Sequence, residues 1–220
     1  MLQLLKIPLI QQTNRNQSML NIAIQLITAV LIAYLIGSIP TGYIVVKLFT
    51  GQDIRTIGSG STGATNVKRA MGKKWFFIVL LLDAFKGALP VILAKIFATV
   101  FVSIGLVPVL CAFAAILGHS KSIFLNFSGG KSVASGVGTI IALNWQAGIV
   151  IAAIWTIFTY HSRYVSVGSI VAVACAPFLM KLYQEPVSYI AYCVVCAVYI
   201  IYLHRQNIKR LLKGEESKVR

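Results

Sequence analysis

Apolar runs of about the twenty residues that cross a bilayer as helix recur along most of this chain, and polar, cationic stretches separate them. Inside the hydrocarbon core no water is present to satisfy a backbone N–H or C=O, so runs of this kind are confined to helices. A hydrophobic share of 58% and a mean hydropathy of +0.83 exclude an ordinary soluble domain. The expected fold class is all-α: a polytopic integral-membrane helix bundle with about seven transmembrane helices. Spans are predicted at roughly 20–49, 74–100, up to Leu117, 131–145, 147–160, 166–181 and 186–204.

Residues 1–18 hold an apolar patch too short to span, followed by the polar run from Gln11 to Ser18. They are expected to form a mobile N-terminal extension, with 19–204 as the transmembrane domain and 205–220 as a basic cytoplasmic tail. The first span is interrupted at Gly37-Ser38-Ile39-Pro40-Thr41-Gly42, where Pro40 removes a backbone donor. Irregular backbone at membrane depth is tolerated only where protein or a water-filled cavity satisfies it. The break is therefore predicted to face the bundle interior.

The formal charge of +15 is held in clusters at 50–74, 118–131, 161–165 and in the tail. The connections near 98–106, 144–147 and 182–186 carry no Lys or Arg. This alternation places the N-terminus outside and the C-terminus in the cytoplasm. Nucleic acid is excluded as a partner, because no soluble module carries the charge and it sits beside membrane spans. The carboxylates are five: Asp53, Asp83, Glu185, Glu215 and Glu216. That scarcity argues against a magnesium site or a paired-carboxylate glycosidase, so neither metal nor cofactor is expected. Cys111, Cys175, Cys193 and Cys196 lie in apolar runs and are expected to be free thiols.

Among the polar stretches, residues 57–69 are the most informative: Ile-Gly-Ser-Gly-Ser-Thr-Gly-Ala-Thr-Asn-Val-Lys-Arg. Glycine lets consecutive N–H groups turn toward one point, and such a concavity binds anions. Short hydroxyl and amide donors together with the following cations suit phosphate oxygens. A loop that merely touched anionic lipid would need the cations alone. The stretch therefore reads as a phosphate cradle, with Gly58, Ser59, Gly60, Ser61, Thr65, Asn66 and Arg69 as its candidates.

A second polar stretch runs from Gly118 to Lys131 and ends Gly129-Gly130-Lys131 immediately before an apolar helical run. It puts a cation and free N–H groups at a helix start, which favours phosphate. It is not a Walker loop, since Leu125 stands where that motif needs glycine. Asp83 and Lys86 lie at i and i+3 within the second span and are predicted to pair, because a lone charge there costs about 2.5–3.5 kcal/mol. His161 reads as interfacial. His119 either caps a helix or touches substrate, and His204 shares a helix face with Asn207. On the cytoplasmic side these stretches collect Ser59, Thr65, Asn66, Arg69, Lys86, His119, Lys131, His204 and Asn207. A transporter would need matching polar groups in two repeats, which the sequence does not display.

At this point the motifs are recognisable. GSGSTGATNVKR at 58–69, DAFKGALPV at 83–91, GHSKSIFLNFSGGKSVASG at 118–136 and HRQNIKRLLKGEE at 204–216 stand in one order across residues 22 to 216. In them the chain resembles the bacterial membrane glycerol-3-phosphate acyltransferases that use acyl-phosphate donors, the PlsY type. The resemblance implies acyl transfer from acyl phosphate to the 1-hydroxyl of glycerol 3-phosphate, giving lysophosphatidic acid and phosphate. It implies a monomeric, multi-pass protein of the bacterial inner membrane, working among membrane lipid without metal. The H-x-x-x-x-D motif of acyl-CoA-dependent enzymes is missing, since Phe124, Ser166 and Lys209 follow the three histidines at that spacing. By motif position, Ser59, Arg69, Lys131, His204 and Asn207 are the expected catalytic set, holding substrate phosphate. Lys86, His119, Gly129 and Gly130 are the further expected substrate contacts, and Thr65 and Asn66 shape the first loop. The family usually has Asn at the place of Ser61, Gly at Ser132 and Thr at Ser135.

Overall fold

The structure, a computed structural model, describes residues 2–97 and 106–218, with side chains from residue 16 onward. Helices α1 (Leu2–Ser38) and α2 (Thr41–Thr50) are followed by the short α3 (Ala64–Met71) and by α4 (Lys73–Phe97). Then come α5 (Leu106–Ser120), α6 (Val133–Leu143), α7 (Trp145–Ser162), α8 (Val165–Leu182), α9 (Val187–Leu203) and α10 (Arg205–Leu212). No strand occurs among the described residues. By length and apolarity three stretches can each cross a bilayer: Asn16–Thr50, Lys73–Phe97 and Val165–Leu182. The α9–α10 pair, bent by 57°, counts as a fourth.

The predicted break in the first span falls where Pro40 requires it, between α1 and α2. Residues 2–18 continue the helix of that span. Two sequence boundaries shift. Gly118 and His119 belong to the last turn of α5 rather than to a loop, because bare glycine lets α5 lie against α1 there; a methyl group on Gly118 would sit 2.7 Å from the Ser38 nitrogen. Helix α6 starts at Val133 and rises only about 16 Å over its eleven residues. The C-terminal end of the second span and most of the connection near 98–106 lie outside the described residues.

Lipid tails are as apolar as leucine, so close packing rather than water expulsion holds such helices together. Gly87 of α4 and Gly138 of α6 show how: a methyl on either would overlap the backbone of the opposite helix, at Ser135 and Ala84. Around this crossing lies the main core, which includes Ile116, Ile151, Ala172 and Met180. Leu48, Leu81 and Phe178 project outward and stay exposed, as expected where lipid is the solvent. At one end of the bundle Lys95 donates to the last carbonyls of α6, at Ala142 and Leu143, and Asn144 caps α7 while bonding Glu185 at 2.7 Å. The glycine-rich segments gather at the other end. Cys111, Cys193 and Cys196 are buried and free.

Candidate active site

The first loop is shaped by one carboxamide. Asn66, fully buried, accepts the Ser59 N–H at 3.1 Å and donates to the carbonyls of Ile57 at 2.8 Å and Ser61 at 2.9 Å. These bonds consume the amide, so Asn66 fixes the loop from inside. Gly58 turns at φ 55° and Gly60 at φ 69°, a region that glycine enters without steric cost. Arg69 lies across Gly58, where a methyl would come 3.1 Å from its Cδ. Ser59 and Arg69 remain exposed, Ser61 and Thr65 half-buried. Ser61 turns its hydroxyl to the Gly63 N–H at 3.3 Å. The loop is seated on α2, since the Thr62 carbonyl occupies the space a Gly42 side chain would need.

The second loop and the tail meet directly. The Lys131 ammonium donates to Asn207 Oδ1, and Asn207 Nδ2 donates to Glu216 at 2.6 Å. Glu216 also accepts from Arg210 at 2.7 Å and Ser166 at 2.9 Å. Partial burial, then the charges of Arg210 and Arg69, outweigh Glu216 and bring Lys131 down to about 8. Burial pushes the Glu216 carboxyl up, but the bonds from Asn207, Arg210 and Ser166 win and hold it below its ordinary value. Sequence reasoning missed Glu216 and Ser166. Its only available signal was the rarity of carboxylates, which makes one near the end of a basic tail unusual.

His204 stands at the α9–α10 bend, buried, with Nδ1 2.8 Å from the Ile200 carbonyl. A carbonyl only accepts, so Nδ1 carries the proton, and in the neutral ring Nε2 is left as an acceptor. Asn207, three residues on and inside α10, is buried too, while His204 itself lies at the bend rather than within one helix with it.

Lys86 and His119 form a separate buried cluster around Asp83, behind the second loop. Asp83 Oδ1 takes Lys86 at 2.9 Å and the Thr41 hydroxyl, and lies 3.5 Å from His119 Nδ1. Lys86 also donates to the Ile39 carbonyl at 2.6 Å, satisfying the backbone that Pro40 leaves irregular. The His119 ring reaches Ser135 at 3.1 Å, and its Nε2 fills the space above Gly130, where a methyl would overlap it. The Gly130 N–H in turn donates to the His119 carbonyl at 3.1 Å. The pairing of Asp83 with Lys86 is thus as predicted, and His119 beside it packs against Gly129 and Gly130 of the second loop. Ser132 follows at φ 59°, a left-handed conformation that glycine adopts without a Cβ penalty.

A helical bundle with donors, amides and fixed cations gathered from separate segments at one end defines a class, that of membrane-embedded proteins handling phosphorylated molecules. Residues 27–214 match the family model for glycerol-3-phosphate acyltransferase, and the chain belongs to that family. It is 45% identical over 203 residues to a glycerol-3-phosphate acyltransferase of Nostoc sp., covering 86% of this chain and 90% of the relative. A counterpart from Synechococcus sp. is 43% identical over 191 residues, with 87% and 93% covered. The fold is similar to crystal structures of PlsY (YgiH), an integral membrane glycerol 3-phosphate acyltransferase. Its glycerol 3-phosphate form superposes with a TM-score of 0.83 at 37% identity, covering 89% of this chain and 96% of that one. Its lysophosphatidic acid form gives 0.81 at 36%, with the same coverage. This chain is accordingly an integral-membrane acyltransferase of phospholipid synthesis.

Proposed function

We propose that the enzyme transfers a fatty acyl group from an acyl phosphate to the 1-hydroxyl of glycerol 3-phosphate, releasing lysophosphatidic acid and inorganic phosphate. The observation that carries this reading is the junction of Lys131, Asn207 and Glu216 alongside the Asn66-pinned loop that bears Arg69. Two cradles suit a reaction in which donor and acceptor each bring a phosphoryl group. The glycerol 3-phosphate and lysophosphatidic acid forms of the similar PlsY correspond to acceptor and product.

Acyl phosphate is already activated, so alignment and charge neutralisation supply most of the barrier reduction. The 1-hydroxyl oxygen of the acceptor attacks the acyl carbon. The bond from that carbon to the phosphate oxygen breaks, and the phosphate departs with its electron pair. Arg69 and Lys131 offset the charge on the leaving phosphate, and N–H groups of the glycine loops stabilise the developing oxyanion. A substrate phosphate oxygen accepts the hydroxyl proton, with His204 Nε2 as the rival base. Four of the five carboxylates are already engaged: Asp53 with Arg55, Asp83 with Lys86, Glu185 with Asn144, and Glu216 with Arg210. That supports a metal-independent reaction. The cation distribution supports seven crossings, an external N-terminus and a cytoplasmic site in the bacterial inner membrane. The enzyme acts as a monomer.

Donor choice tests the proposal. Purified enzyme in detergent, given labelled glycerol 3-phosphate, is expected to form lysophosphatidic acid with acyl phosphate and not with acyl-CoA. Transfer from acyl-CoA alone would overturn the assignment of the donor.

A further inference from the structure

The second polar loop opens with a finger, residues 121–128, that the phosphate cradles do not use. It presents three large apolar side chains: Ile123 is 46% exposed, Phe124 58% and Phe127 59%. Leu125 alone of its apolar residues is buried. Three such groups within eight residues make an exposed apolar patch of the kind that marks a contact surface.

The finger is held in shape by its own backbone. The Ser122 N–H donates to the Ser128 carbonyl at 3.3 Å across the base, and the Phe127 N–H donates to the Ser122 carbonyl at 2.8 Å. Asn126 and Phe127 are both left-handed, at φ 51° and 58°. Asparagine enters that region readily, but a bulky aromatic residue does so only where its surroundings impose it. The cross-base bonds impose it here, and the Phe127 ring is left exposed rather than packed.

The base of the finger is tied to α1. The Tyr34 hydroxyl donates to the Lys121 carbonyl at 2.7 Å, and the Ser122 hydroxyl to the Ser38 carbonyl at 2.5 Å. Next to Tyr34 and Ser38, Leu31 and Leu35 form an exposed i, i+4 row on α1, and Ile39 extends it past the helix end. In an integral-membrane protein such a row faces lipid, so the finger springs from the edge of the lipid-facing surface. Lys121, exposed at its base, supplies a positive charge that suits anionic head groups.

We propose that the finger is a membrane contact: Ile123, Phe124 and Phe127 enter the boundary between head groups and acyl chains of the adjacent leaflet, with Lys121 among anionic head groups. Apolar side chains beside a cation favour that depth. Ser128 leads directly into Gly129, Gly130 and Lys131, so the contact holds those residues at the level of the head groups. It does not depend on which acyl donor the enzyme uses.

A nitroxide attached through Phe124→Cys tests the depth in vesicles of phosphatidylethanolamine and phosphatidylglycerol. Cys111, Cys193 and Cys196 are buried, and labelled wild type reports the background from the half-buried Cys175. Collisions with oxygen are expected to exceed those with a water-soluble nickel chelate several-fold at Phe124→Cys, and to fall below them at Lys209→Cys, an exposed position of α10. Phe127→Trp gives an unlabelled check. Its added fluorescence over wild type is expected to be quenched about twofold or more by lipid brominated along the acyl chain, and little by aqueous iodide. Acyl transfer by each preparation reports that it is folded. A nickel-accessible label together with an iodide-quenched tryptophan would put the finger in water, as a dock for a soluble protein, and overturn the proposal. A label shielded from both oxygen and nickel, as a contact between two copies of this chain would leave it, would count against it equally.

Discussion

Lys131 gives a hydrogen bond to Asn207 across seventy-six residues of sequence, tying the second glycine loop to the helix that follows the last long apolar run. The contact makes one site out of segments that share no local structure. It also gives the second loop a cation of lowered pKa at the position proposed for substrate phosphate.

That lowered pKa gives a pH signature. Burial and the nearby arginines bring Lys131 from its ordinary 10.5 down to about 8, so the loop ammonium is mostly charged at pH 7 and loses its charge as pH rises further. Glycerol 3-phosphate is already dianionic there. The expected outcome is a fall in kcat/KM for glycerol 3-phosphate above about pH 8, absent in Lys131→Arg, whose guanidinium stays charged. Stability moves the other way: between about 8 and 10.5 the unfolded chain binds more protons at this lysine, so its contribution to folding rises with pH. Parallel pH–rate and pH–melting series check both signs.

Asn207→Asp puts a carboxylate against Glu216 in place of an N–H donor. Loss of that bond and the new repulsion are expected to cost about 1–3 kcal/mol of stability. Phosphate release should fall along with it, and chemical denaturation in detergent measures the stability part.

His204→Gln separates the two candidate bases. Glutamine retains a donor for the Ile200 carbonyl but cannot take up a proton. With the substrate phosphate as base, kcat is expected to stay near the wild-type value. A large loss confined to kcat would transfer the role to His204.

Asp83→Leu strands Lys86 without its carboxylate, a lesion of about 3–5 kcal/mol. The double variant Asp83→Leu/Lys86→Met removes both charges and is expected to recover more than half of that loss. Thermal unfolding of the two variants side by side gives the coupling.

Ser132 inverts the usual order of Ala over Gly. Its left-handed backbone costs about 1–2 kcal/mol in any residue with a Cβ, whereas its hydroxyl bonds the Ile116 carbonyl at 2.9 Å. Ser132→Gly trades the bond for relief of strain and is expected to be near neutral. Ser132→Ala keeps the strain, loses the bond, and should melt lower.

What the sequence made legible was the part written in local pattern. Span-length apolar runs, the Pro40 break and the i, i+3 pair Asp83–Lys86 follow from periodicity and from the cost of isolated polar groups in lipid. The glycine loops stood out because their chemistry is contiguous, and their use as anion sites is part of the proposal above. Asn66 was legible as a loop-shaping residue through the motif, and the structure shows it doing so. The role of His119 was harder to read: its side chain turns inward against Gly130, and a residue that shapes a cradle has the same letter as one that lines it. Glu216 escaped notice because its partners Asn207, Arg210 and Ser166 meet it only after the tail folds back. The helical state of Gly118 and His119 depended on α1 being close enough to need a bare glycine.

The most direct measurement follows phosphate and lipid together. Purified enzyme with hexadecanoyl phosphate and glycerol 3-phosphate is expected to release inorganic phosphate only when the acceptor is present, in equal amount to the lysophosphatidic acid formed. The same assay on Lys131→Met is expected to show neither product. Phosphate release without the acceptor, or full transfer by Lys131→Met, would contradict a site built on convergent phosphate cradles.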